Sequence, residues 1–381
     1  MSAVEPFEIP VAEAEAAWIR DRVAGFRFFE EPANAGWHFG ANRAYLEALR
    51  AHWLESFDWP AAVTRLNRHP QVRAEVEPGF RLHAIHKRSS RPDARPLLIA
   101  HGWPGSILEF DAIIERLAEP EDPSAPAFHV VAPSLPGYAW SDKPASPLGP
   151  RAVAGLYDKL MGVLGYDRFI YQGGDWGCVI GGWMGLDSAR ITALHINGFG
   201  LRPADMRPTT PDEEAWLQRA VAIRERETAY LQLQGTKPQS LAYAMMDSPM
   251  GVAAWLAEKF AGWSDVPGGP TVETYPFAMD TMLTNIMIYL TTRSFHTATW
   301  IYAGMFMEGG FSIPAGRKIE VPTGVAACPK DLLAFPPRAM AERGYNIVHW
   351  TDMPRGGHFA SLEEPELFLA DLRTFVGSLP A

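Results

Sequence analysis

Cysteine is scarce: Cys178 and Cys328 are the two in 381 residues, too few for a disulfide framework. The opening residues, MSAVEPFEIP, carry no export signal, so both thiols are expected to be buried as small hydrophobes. Metal-ligand spacing is missing as well, since the eleven histidines include no H-x-x-x-H pair and no cysteine cluster stands near them. No apolar run approaches the ~18 residues that a membrane span requires. Basic excess is also absent, with 34 Lys and Arg against 44 Asp and Glu and a formal charge of −10. That balance opposes attraction to phosphate backbones and anionic membranes, which argues against a nucleic-acid partner. The expectation is a cytoplasmic protein without membrane anchor, metal or organic cofactor, its oligomeric state left open to a homo-oligomer.

Apolar material is plentiful. Hydrophobic residues make up 47% and charged residues 20%, a balance that supports a folded core and excludes global disorder. Residues 1–71 look helical: Asn42 can cap a segment in which Tyr45, Leu49, Trp53 and Phe57 recur every four residues. This segment is too short to bury Trp37, Trp53 and Trp59 by itself, so it is expected to pack on the rest of the chain. From 72 to 200 short β-type runs alternate with helical ones: 81–88, 96–102, 128–137, 168–175 and 193–200. The runs at 318–325 and 346–352 continue the series within 317–381. Nearly continuous apolar strands alternating with helices predict an α/β fold with a mainly parallel sheet flanked by helices. Between 201 and 316 the strand rhythm stops, and this stretch is expected to form a helical lid. Its first helix should open on the capping box of Thr210, Pro211 and Glu213 and close at Gly235 and Pro238. A last amphipathic helix should start near Pro365.

Gly173-Gly174-Asp175-Trp176-Gly177 stands where the strand ending at Tyr171 gives way to helix. A nucleophile flanked by glycines at such a junction is a nucleophile elbow, whose sharp turn lifts one side chain above the sheet. Here that side chain is a carboxylate. The plain alternative is a glycine-rich turn with Asp175 as helix cap. Partners follow in the order that the α/β-hydrolase arrangement requires: nucleophile, acid, histidine. His358, in the loop Pro354-Arg355-Gly356-Gly357-His358-Phe359 after the last strand, is the candidate base. Asp331, just beyond the strand at 318–325, is the candidate acid, unless it caps a helix beginning at Leu332. Glu308 is the rival acid, ranked second because it precedes that strand. His101-Gly102-Trp103-Pro104-Gly105 follows the strand PLLIA, where one backbone N–H of an oxyanion hole belongs. Trp103 would supply that donor and Trp176 the other. The sequence leaves open whether the Trp103-Pro104 bond is cis. His101 is expected to be structural.

A carboxylate is already ionised at neutral pH and can displace a leaving group at saturated carbon, forming an ester of Asp175. Water deprotonated by His358 would then cleave that ester, with Asp331 orienting the imidazole. A strained cyclic ether or a carbon–halogen bond could serve as electrophile. The ether oxygen leaves as alkoxide and needs a proton donor, which a phenol supplies. The stretch 201–316 offers Tyr230, Tyr243, Tyr275, Tyr289 and Tyr302, and for each one packing is the plainer role.

Several ordered runs together resemble the epoxide hydrolases of the microsomal and juvenile-hormone type. They are HGWPGS at 101–106, PSLPGYAWSDKP at 133–144, GGDWG at 173–177 and YLQLQGTKP at 230–238. Further runs are MDSPMGVAAWLAEKFAGW at 246–263, VPTGV at 321–325 and RGGHFASLEEPE at 355–366. The resemblance implies Asp175 as nucleophile, His358 as base, Asp331 at the acid position, and Tyr230 and Tyr302 as the ring-opening phenols. Family members often carry Glu at the acid position, and Asp331 is one methylene shorter. Microsomal members begin with a membrane-spanning anchor. None is seen in these opening residues, so a soluble bacterial-type member is expected. The implied activity converts a bulky hydrophobic, aryl-bearing epoxide and water to a vicinal diol, in a natural-product or detoxification pathway. The rivals are a haloalkane dehalogenase and a non-catalytic small-ligand binder on the same scaffold.

Overall fold

Leu97, Leu98, Ile99 and Ala100 are buried in succession, as only a strand covered on both faces allows. In the computed structural model, which describes residues 3–332 and 335–380, they lie at the centre of one sheet. Its strands are β1 (Val4–Phe7), β2 (Gln71–Glu77), β3 (Phe80–Lys87), β4 (Arg95–Ala100) and β5 (Phe128–Pro133). They continue with β6 (Phe169–Gly173), β7 (Ile191–Ile196), β8 (Ile319–Ala327) and β9 (Tyr345–Asp352). The order across the sheet is β1-β2-β3-β5-β4-β6-β7-β8-β9. The β1–β2, β2–β3 and β3–β5 pairs are antiparallel, and the rest are parallel. All seven runs read from the sequence became strands. The first segment is corrected: it is not helical throughout, because Val4–Phe7 forms β1 on the edge of the sheet.

Before β2 lie α1 (Glu13–Ala24), α2 (Arg43–Glu55) and α3 (Trp59–Leu66), and among the strands α4 (Ile114–Ala118), α5 (Pro150–Val163) and α6 (Trp176–Asp187). Asn42 caps α2 by accepting the Tyr45 N–H at 3.1 Å, and Tyr45, Leu49 and Trp53 are buried. Tyr45 stacks on Tyr275 at 4.0 Å, and the Trp37 indole donates to the Pro270 carbonyl. The early helices therefore dock on the chain between β7 and β8.

That insertion comprises α7 (Pro211–Glu227), α8 (Ala229–Thr236), α9 (Pro238–Met245), α10 (Pro249–Trp263), α11 (Met279–Thr291), α12 (Phe295–Ala298) and α13 (Trp300–Met307). After it come α14 (Arg338–Ala341), α15 (Ala360–Glu363) and α16 (Pro365–Gly377). The ends of the insertion are tied together, as Arg202 N–H donates to the Phe311 carbonyl and Ile313 N–H to the Arg202 carbonyl. Thr210 caps α7 as expected, but the helix stops at Glu227, well before Gly235. The Thr228 hydroxyl donates to the Arg224 carbonyl at that break. Gly235 lies inside α8, where a Cβ would meet the Phe306 ring at 2.1 Å, so it is a packing glycine and not a terminator. The helix considered from Leu332 onward falls partly outside the described residues. No helix among the described residues is long and apolar enough to cross a membrane.

Gly304 seats α13 directly on the main chain of Leu148, whose carbonyl carbon would lie 2.2 Å from an added Cβ. Backbone cannot step aside as a side chain can. Gly304→Ala should therefore destabilise the protein by about 1–3 kcal/mol in urea unfolding. Unchanged stability would mean that α13 is not seated this way.

Candidate active site

The turn from β6 to α6 places Asp175 at φ 47°, a left-handed conformation that side chains rarely adopt. Its neighbours make the turn fit. A Cβ on Gly177 would come within 2.2 Å of the Ala100 carbonyl oxygen, so only glycine lets α6 start this close to β4. Asp175 does not cap α6 with its side chain. Its carboxylate turns to the loop after β4, where Oδ1 accepts the Trp103 N–H at 2.7 Å. Gly102 has to be glycine for the same reason, because a Cβ there would lie 2.0 Å from that oxygen. The Trp103-Pro104 bond is cis. This loop is gripped from α11: the Asn285 amide donates to the Pro104 carbonyl and the Tyr289 hydroxyl to the Gly105 carbonyl. Trp176, the other expected backbone donor, opens α6 immediately after the carboxylate.

His358 reaches the same carboxylate from the loop after β9. Its Nε2 is 3.2 Å from Asp175 Oδ2, and its Nδ1 is 2.6 Å from Asp331 Oδ1. Sequence reasoning passed over what holds this loop. Glu363 accepts the N–H groups of Gly357, Phe359 and Asp265, while Trp263 accepts the His358 N–H through its carbonyl. Nothing in the spacing around Glu363 marks it for that part. Glu308 is corrected as an acid candidate. It is exposed, and its carboxylate accepts the Arg151 and Ala152 N–H groups at the start of α5, so it serves as a tertiary helix cap.

Burial is the largest influence on the His358 imidazole and pulls its pKa down, but Asp331 and Asp175 together outweigh it. The ring is held well above its ordinary value. His101, by contrast, is buried with Nδ1 against the Gly102 carbonyl and pushed down by burial to about 4, a neutral structural ring.

The five tyrosines of the insertion sort themselves by partner. Tyr243 faces outward at 78% exposure. Tyr275 donates to the Ala257 carbonyl and Tyr289 to that of Gly105. Tyr230 and Tyr302 remain, and both line one cavity together with Asp175, Asp331 and His358. The Tyr302 hydroxyl is buried near the Tyr230 hydroxyl and the Trp176 indole but makes no well-formed hydrogen bond to either. Burial, with added effect from the Asp175 charge, pushes both phenols well above their ordinary value, so both keep their protons. Trp103 stacks on the Tyr230 ring at 5.2 Å, and the buried Lys259 ammonium lies 4.9 Å from its centroid. The rest of the wall is mainly apolar, with Trp176, Val179, Phe199, Leu231 and Phe311. Both cysteines are buried, and burial raises each thiol above its ordinary value. No cluster of His, Cys, Asp or Glu suited to a metal ion occurs among the described residues.

The raised imidazole is testable through stability. A group titrating higher in the folded state than at its ordinary 6.5 contributes stability that is fully present below that pH and lost as pH rises through the folded value. The unfolding free energy of the parent protein relative to His358→Gln should therefore decline as the pH is raised from about 6.5. A difference that does not vary with pH would show that no such pair of charges surrounds the ring.

Two family models match the chain, the N-terminal segment of epoxide hydrolases over residues 4–110 and the α/β-hydrolase fold over residues 95–244. A protein named as a putative epoxide hydrolase of Stigmatella aurantiaca is 37% identical over 379 residues, covering 97% of this chain and 84% of its own. Epoxide hydrolase 1 of Sus scrofa is 32% identical, covering 99% and 89%. Among solved structures, the Aspergillus niger epoxide hydrolase superposes with a TM-score of 0.86 at 30% identity, over 99% of this chain and 96% of that one. The juvenile hormone epoxide hydrolase of Bombyx mori gives 0.88 at 27%, over 99% and 95%.

Proposed function

The chain belongs to the epoxide hydrolase family, and from that premise we propose that it opens an apolar, aryl-bearing epoxide to a vicinal diol through an ester on Asp175. The observation that carries this reading is the one cavity lined by Asp175, His358 and Asp331 together with two phenols, one of whose buried hydroxyls makes no well-formed hydrogen bond. A buried donor without an acceptor is costly, and the oxygen of an epoxide would supply the acceptor.

Asp175 Oδ2 attacks a ring carbon while Oδ1 stays on the Trp103 N–H, and the carbon–oxygen bond of the strained ring breaks. Tyr230 and Tyr302 take up the alkoxide charge by hydrogen bonding and proton donation. Alkylation removes the charge of Asp175. One of the two carboxylates that hold the imidazole high is thereby lost, and His358 becomes free to act as a base when water is to be activated. Water adds to the Asp175 carboxyl carbon and passes a proton to His358, and Asp331 stabilises the imidazolium. The Trp103 N–H, joined by that of Trp176, stabilises the oxyanion on Oδ1. The aromatic wall suits an aryl or other bulky apolar group, as detoxification or natural-product assembly would present.

After several turnovers in heavy-oxygen water the Asp175 carboxyl should carry label, read by peptide mass spectrometry. An active enzyme with an unlabelled Asp175 would exclude the ester. Tyr302→Phe should slow ester formation about 10²-fold, measured in a single turnover, because one oxyanion donor is lost. Unaltered ester formation in the double variant Tyr230→Phe/Tyr302→Phe would remove the phenols from the reaction.

A further inference from the structure

A second void shares Asp175 and His358 with the substrate cavity but touches neither Tyr230 nor Tyr302. It is small, with about 10 Å³ open to the centre of a water molecule, which is room for roughly one water. The walls include Glu109, Gln172, Asn197 and Ser361. Gln172 is 1% exposed; its Nε2 donates to Asn197 Oδ1 at 2.7 Å, while its own Oε1 has no donor at all. Glu109 sits in the 3-10 turn Ile107–Phe110, and no described residue donates a hydrogen bond to its carboxyl. That carboxyl lies beneath the loop after β4, where a Cβ on Gly105 would come 1.6 Å from Oε1. Burial pushes the Glu109 carboxyl up to about 8, with His358 drawing it down and Asp175 pushing it further up.

An orphaned acceptor and an unpartnered carboxyl around space for one water mark a place that water fills. We propose that this chamber holds the water that cleaves the Asp175 ester and that Glu109 is the residue positioning it. The inference rests on the ester reading above. With an apolar substrate filling the first cavity, water reaches the ester carbon from the second. It directs one hydrogen to His358 Nε2 and the other to Gln172 Oε1, while its oxygen accepts the O–H of the Glu109 carboxyl, which burial keeps protonated. As the new bond to the carboxyl carbon of Asp175 forms, one proton moves to His358. The bond from that carbon to Oδ2 then breaks, and the diol leaves with Oδ2 and the proton that His358 returns.

The test is a rapid-quench single turnover with styrene oxide, following the mass of the intact protein. It compares the parent enzyme with Glu109→Met, Glu109→Gln and Gly105→Ala, the last of which displaces the carboxyl while keeping it. Ester should form within about threefold of the parent rate in both Glu109 variants, and decay about tenfold or more slower in Glu109→Met and Gly105→Ala. Glu109→Gln, which still holds a water, should recover most of the decay rate. Ester that decays at the parent rate in Glu109→Met, or formation and decay that slow together, would overturn the role of Glu109. If the parent enzyme consumes the epoxide with no covalent mass at any time, the ester reading falls first and the chamber with it.

Discussion

The whole site depends on one strained main-chain conformation, Asp175 at φ 47° and ψ −124°. Such a geometry costs about 1–3 kcal/mol for a side-chain-bearing residue and persists only where the surroundings over-determine it. Here glycines do so. Gly177 allows α6 to start against the Ala100 carbonyl, and Gly102 allows the loop after β4 to reach the carboxylate. A larger residue at either place would separate Asp175 from the Trp103 N–H, which holds it at 2.7 Å. The parallel strands deliver β4, β6 and the loops beyond β8 and β9 to one edge of the sheet, where ligand sites of open α/β folds form.

Electrostatics then link the two halves of the proposed cycle. An imidazole between two charged carboxylates holds its proton and cannot take up another. The same imidazole, once Asp175 is an ester, keeps Asp331, to which its Nδ1 is joined at 2.6 Å, and loses the charge at Nε2. In that proposed cycle Asp175 regulates the base that later regenerates it, and burial of the site makes each of these charges felt more strongly. The Asp331 side chain, one methylene shorter than Glu, reaches the imidazole at 2.6 Å.

Much of the fold was legible because buried parallel strands are continuous apolar runs and their periodicity survives any tertiary context. The miss at β1 has a local cause. Val4–Phe7 is four residues long and contains Pro6, and proline within so short a run argues against a strand unless it lies on an edge, which cannot be known beforehand. Gly235 was misread for a related reason. A glycine that ends a helix and one that lets two helices touch look alike in sequence, and only Phe306, far along the chain, distinguishes them. Glu363 and Glu109 were passed over since neither belongs to a spacing pattern; each matters through what folds against it.

By itself the sequence determined the sheet, the elbow at Asp175 and the chain order of acid and histidine, because local propensity, hydrophobic period and glycine chemistry act over a few residues. Residue patterning offered five phenols, and the family resemblance singled out Tyr230 and Tyr302. The tertiary structure gives Tyr275 and Tyr289 carbonyl partners and Tyr243 to solvent, and leaves Tyr230 and Tyr302 on the cavity that holds Asp175. It likewise settled which carboxylate touches His358, placing Asp331 on the ring and Glu308 on a helix start. Contacts between residues far apart in sequence follow from packing geometry at the ångström level, which no local pattern encodes.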